Sequence, residues 1–141
     1  MPIQQTGLTL GSLQVAQATI AASVTTTATS SATATVLMTL GPFESFSGGY
    51  IIELNSPGVT KGTTSVTLEL WVDGVFNQSI AATYLNAVAV TPFAWRGFVT
   101  LGGGVHTLTV RGFVDAGTGT LTAGTGATGA QPNAILTARV A

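Results

Sequence analysis

One histidine, five carboxylates and four basic side chains are nearly all the ionisable chemistry these 141 residues hold. With His106 alone, a metal site built on imidazole would take every other ligand from carboxylates. A Ser-His-Asp triad would need a serine, His106 and Asp73 or Asp115 to converge, and no Gly-x-Ser-x-Gly elbow occurs in the chain. His106 follows Gly102-Gly103-Gly104-Val105, a place where a ring serves best by hydrogen-bonding a turn. Glu53 and Glu69 both stand on the polar side of an alternating stretch. Two carboxylates across a cleft could do glycosidase work. In so uncharged a chain, however, they are expected to meet Arg96, Arg111 or Lys61 at a subunit contact. Asp115-Ala116-Gly117-Thr118-Gly119 offers one carboxylate, where calcium takes about six to eight oxygens. No residue is therefore assigned to catalysis, to a cofactor or to a metal, and the chain is not read as an enzyme.

Recognition by contact is the chemistry that remains. Trp71 lies beside Glu69 and Asp73, on the face opposite Val66, Leu68, Leu70 and Val72. An outward tryptophan among polar neighbours marks either a sugar-stacking platform or a protein contact. Trp95 sits next to Arg96 in a run with Phe93 and Phe98, where it either makes contacts or completes a second core face. Trp71, Trp95, Tyr84, Glu69, Arg96 and Arg111 are the candidate subunit or ligand contacts. Nucleic acid is excluded as a partner, because Lys61, Arg96, Arg111 and Arg139 are too few and too scattered to neutralise a phosphate backbone. Gly102-Gly103-Gly104 leads into another apolar alternation rather than a helix, so it is no phosphate loop.

The elements that must position these residues read as strands throughout. Tyr50, Ile52 and Leu54 share one face while Glu53 takes the other. Val66 to Asp73 alternates cleanly, and Asp73-Gly74 before Val75 is a strong hairpin signal, since glycine accepts positive φ at little cost. Further strands are expected over residues 13–20, 33–40, 75–83, 93–101, 105–113, 120–123 and 134–140. Long connections near residues 41–49 and 84–92 suit crossings between two sheets. The expected fold is all-β: a two-sheet antiparallel β-sandwich, jelly-roll-like, with eight or nine strands. Residues 1–45 form a Thr/Ser/Ala-rich N-terminal arm and first strands of the same domain, the arm reaching a neighbouring subunit, and residues 46–141 form the sandwich body.

Composition agrees. Twenty-five threonines and eighteen glycines favour pleated surface and turns over helix. Cysteine is absent, which rules out disulfides and thiolate metal sites. The opening residues lack a secretory signal's basic start and apolar run, and no apolar stretch is long enough to span a bilayer as a helix, so a soluble protein made in the cytoplasm and without a membrane partner is expected. Only 6% of the residues are charged and the net charge is −1, against about 25% in average domains. Such a surface has little electrostatic defence against association.

Gly104-Val105-His106-Thr107-Leu108-Thr109-Val110, following Val72-Asp73-Gly74 and Phe98-Val99-Thr100-Leu101, resembles the Gly-x-His-Thr-Leu-x-Val stretch of bacteriophage virion jelly rolls. Gly119-Thr120-Leu121-Thr122-Ala123-Gly124 and Ile135-Leu136-Thr137-Ala138-Arg139-Val140 are similar to the closing strands of those domains. The layout is also similar to that of C1q/tumour-necrosis-factor-like heads. The resemblance covers residues 62–141. It implies a homotrimeric sandwich used as a capsid decoration protein, a coat subunit or a fibre head. The expectation is a non-enzymatic virion structural protein without cofactors, a decoration or cement protein or coat subunit that contacts itself and neighbouring capsid or tail proteins. A host-recognition or carbohydrate-binding head of a phage fibre, with a glycan as ligand, is the alternative.

Overall fold

The computed structural model describes residues 13–60, 65–84, 91–123 and 133–141, without the side chains of residues 60, 81–84 and 91. Among the described residues ten strands follow one another: β1 (Gln14–Thr19), β2 (Val24–Thr26), β3 (Thr35–Ser45), β4 (Gly48–Thr60), β5 (Ser65–Val72), β6 (Val75–Tyr84), β7 (Thr91–Leu101), β8 (Gly104–Val114), β9 (Gly119–Thr122) and β10 (Ile135–Val140). One 3₁₀ turn at Ser31–Thr33 is the only helical element among the described residues.

One sheet runs β1-β10-β4, with β7 on the far side of β4. The other runs β3-β8-β5-β6. Every pairing is antiparallel. That strand order, with consecutive strands passing back and forth between two sheets, is the jelly-roll arrangement. The short strands β2 and β9 pair with each other, and β9 extends the first sheet along the end of β4. β9 falls where a short strand is expected over residues 120–123; β2 lies outside the expected strands and brings the count among the described residues to ten.

Alternation decides which side chains meet between the sheets. Tyr50, Ile52 and Leu54 of β4 face Val66, Leu68 and Leu70 of β5, and Leu108 and Val110 of β8, within one buried cluster. Threonines fall largely on the outer faces, where the side-chain period of two puts them. The hairpin signal holds: Asp73 (φ +50°) and Gly74 (φ +80°) both take left-handed conformations, as a two-residue primed turn between β5 and β6 requires.

The expected long crossing at residues 41–49 is different. β3 continues to Ser45, and the crossing shrinks to Phe46-Ser47. Strand pairing survives through Gly41-Pro42 because the ladder shifts register between Leu40 and Phe43. Gly41 has φ +112°, and a Cβ there would stand 2.7 Å from the His106 carbonyl oxygen, so only glycine fits. From Leu13 onward the N-terminal region pairs with its own chain, β1 against β10 and β2 against β9. Residues 1–12, the part of the arm expected to reach a neighbour, lie outside the described residues.

Tyr50 is buried, and its hydroxyl accepts the Phe46 N–H at 2.9 Å and donates to the Phe46 carbonyl at 3.0 Å. Tyr50→Phe removes both bonds without changing the packed ring. It is expected to lower stability by about 1–3 kcal/mol, read as a shifted urea midpoint with an unchanged slope; an unshifted midpoint would show that the bonds contribute nothing.

Candidate functional site

Three turns gather at one end of the sandwich: Phe46-Ser47 between β3 and β4, Asp73-Gly74 between β5 and β6, and Gly102-Gly103 between β7 and β8. Hydrogen bonds tie them together. Asp73 Oδ1 accepts the Thr107 N–H at 2.8 Å, and the Asp73 N–H donates to the Thr107 carbonyl at 2.8 Å. Asp73 Oδ2 lies 2.6 Å from His106 Nδ1, and His106 Nε2 lies 3.0 Å from the Gly102 carbonyl. That carbonyl also accepts the Ser45 hydroxyl at 2.7 Å. His106 thus serves the turn role its place in the sequence suggests.

Protonation follows from the partners. Both ring nitrogens face acceptors, a carboxylate and a carbonyl, so both bonds form only when the ring is an imidazolium. The bond to Asp73 raises the His106 pKa above its ordinary 6.5, helped by the Gly102 carbonyl and by the charges of Asp73 and Glu44, against a smaller opposing effect of burial. Asp73 is lowered from 3.8, first by the Thr107 N–H and then by His106.

Three apolar side chains on or beside these turns are exposed. Phe46 is 80% exposed, Val75 68% and Val105 59%. Monomers seldom gather large apolar side chains at one rigid end without a partner to cover them.

The outer face of the second sheet places Trp71, Glu69 and Arg111 together, because β5 pairs with β8 and sets Glu69 opposite Arg111 within one chain. The Arg111 guanidinium lies 4.1 Å from the Trp71 ring centroid, a cation–π contact. Phe76 meets the indole edge-on at 6.1 Å, and the indole N–H donates to Glu69 Oε2 at 2.9 Å. Glu69 is buried and also accepts the Ser31 hydroxyl at 2.8 Å. Glu69 therefore binds within its own chain, and Trp71 is engaged on a face, an edge and its single donor. Trp95 turns inward, packs against the core and lies over Gly97, where a Cβ would collide with the indole. The Tyr84 side chain lies outside the described residues, and so does Lys61.

Glu53 finds two arginines on the outer face of the first sheet, both within its own chain. Arg96 of β7 lies 3.3 Å and Arg139 of β10 3.4 Å from its two oxygens. Arg139 escapes a reading of the sequence because only register brings β10 beside β4. Asp115 accepts the Ser65 N–H at 2.9 Å, which ties the start of β5 to the end of β8. Among the described residues no three His, Cys, Asp or Glu side chains gather as a metal site would need.

The raised His106 value makes stability depend on pH with a definite sign. The imidazolium contribution is complete below about pH 6.5, the unfolded value, and is lost as pH rises through the higher folded value. The Asp73 contribution is lost only on the acid side, below its ordinary 3.8. The urea midpoint is therefore expected to fall between neutral and mildly alkaline pH, and Asp73→Asn should flatten that fall. A wild-type midpoint constant across this range would show that the clamp does not depend on the imidazolium. No protein-family model matches the chain, and none of the curated proteins matches it either.

Proposed function

We propose that this protein is a non-enzymatic structural subunit of a virion shell, a decoration, cement or coat protein that works as a homo-oligomer, with a trimer as its closed unit. The observation that carries the reading is the distribution of charge. Glu53, Arg96, Arg139, Glu69, Arg111 and Asp73 all engage partners within the chain, while Phe46, Val75 and Val105 stand exposed around a hydrogen-bonded end. Charges that guard a surface against association are instead spent on holding it together.

Edge strand β6 supports the same reading. Its ten residues, Val75–Tyr84, contain neither a charge nor a proline, the devices by which edges ordinarily resist pairing. Strand addition across subunits is available there. The virion setting rests on the jelly-roll order and on the resemblance of residues 62–141 to phage virion domains. The alternative head, stacking glycans on Trp71, Trp95 or Tyr84, gains nothing from the two tryptophan rings, which are occupied within the chain, while the Tyr84 side chain lies outside the described residues.

Light scattering at micromolar concentration tests the proposal. A stable trimer or larger species is expected, and Val75→Lys should shift it toward monomer without lowering the melting temperature. A wild-type protein that stays monomeric, alone and with its shell partner, would overturn the reading.

A further inference from the structure

The outer face of the first sheet carries a second surface, separate from the exposed apolar side chains of the turn end. Across β10, β4 and β7 the register aligns Thr137, Glu53 and Arg96 in one row, and Ile135, Asn55 and Ala94 in the next. Two arginines flank the single carboxylate, so the group has one positive charge in excess. Arg96 is the open member, its side chain 64% exposed. A depression of about 230 Å³ beside it is lined by Glu53, Asn55, Ala94, Trp95 and Arg96. Asn55 and Ala94 are shared with a larger cavity of about 470 Å³, walled also by Pro57, Pro92, Phe93 and Asn133.

The network is incomplete as it stands. Thr137 is 7% exposed, and its hydroxyl has no hydrogen-bond partner. Arg139 Nε is buried and also lacks a hydrogen bond, although it lies at ion-pair distance from Glu53. Buried polar groups are ordinarily satisfied. Thr137 stands directly opposite Glu53, on the side away from Arg96. A carboxylate arriving at Arg96 would release Glu53 toward Arg139 and Thr137, whose free donors it would then satisfy.

We infer that this groove binds an acidic saccharide, with a uronate carboxylate on Arg96 and the adjoining sugar ring in the cavity beyond Asn55. The single excess charge suits a monoanion, whereas a phosphate dianion would face Glu53. Asn55 and Asn133 offer amide donors and acceptors for hydroxyls, and Phe93, Pro57 and Pro92 offer apolar surface for the C–H face of a ring. The site shares no residue with the turn end, so it stands or falls apart from the proposed assembly role.

Titration calorimetry of the whole chain with tetragalacturonate, its fully methyl-esterified counterpart, inorganic phosphate, and an apolar tetrapeptide as free acid and as amide tests the inference. Saturable binding of tetragalacturonate but not of the ester is expected. Arg96→Gln should weaken it about tenfold, the scale of one charge-assisted hydrogen bond. Glu53→Gln should tighten binding, because the ligand no longer competes with an internal carboxylate; a merely structural ion pair predicts no gain. Thermal melts of both variants check that the sandwich persists. Equal binding of the ester, binding of the free-acid peptide or of phosphate in place of the uronate, or no saturable heat at all would each overturn the inference.

Discussion

The carbonyl of Gly102 takes two hydrogen bonds, one from His106 and one from Ser45, and the geometry of one whole end of the molecule depends on it. A jelly roll has no helix to brace its turns, and each short turn leaves backbone groups that need partners. Here two sheets are stitched at a common point: β3 and β8 belong to one, while Gly102 ends a strand of the other. Through His106 and Asp73 the same network reaches the β5–β6 hairpin. Two-residue turns alone would leave three independent corners; the shared carbonyl makes them one rigid surface.

That rigidity bears on association. An apolar side chain on a fixed corner loses little freedom when a partner covers it, so less of the gain from burial is spent on ordering. Phe46, Val75 and Val105 are held in this way by backbone that is already pinned. The two outer faces contrast with that end. One is closed by Trp71, Arg111, Phe76 and Glu69 satisfying one another. The other carries the Glu53 cluster, where two buried donors make no hydrogen bond.

Much of the fold was legible in the sequence. Alternation located β4, β5 and β8, because one half of each strand is buried and period two cannot be mistaken there. Asp73-Gly74 named its own turn, and His106 could be placed at a turn from its glycines. What stayed hidden was whatever depends on register between distant strands. Nothing local pairs Glu53 with Arg139, or lays Arg111 on Trp71, since those contacts arise from how β10 meets β4 and β8 meets β5. The long connection expected near residues 41–49 misled for a related reason: a register shift lets β3 run on through Gly41-Pro42 to Ser45.

The lateral rims of the sandwich are unlike. Along β1, β2 and β3 the sheets are laced together: the Thr26 hydroxyl lies 2.8 Å from that of Thr35 and 3.0 Å from the Gly112 carbonyl, and the Val114 N–H donates to Ala28. Along β6 and β7, among the described residues, the Gln78 amide lies 3.0 Å from the Phe98 carbonyl. Two rims that differ in this way give the subunit a handed valence. Rims of one kind that meet each other close after two copies, and a rim that meets another patch closes into a ring only where the rotation between copies closes, running on as a filament where it does not. For an almost uncharged β protein it is then the geometry of the contact, not charge repulsion, that separates a finite assembly from a fibre.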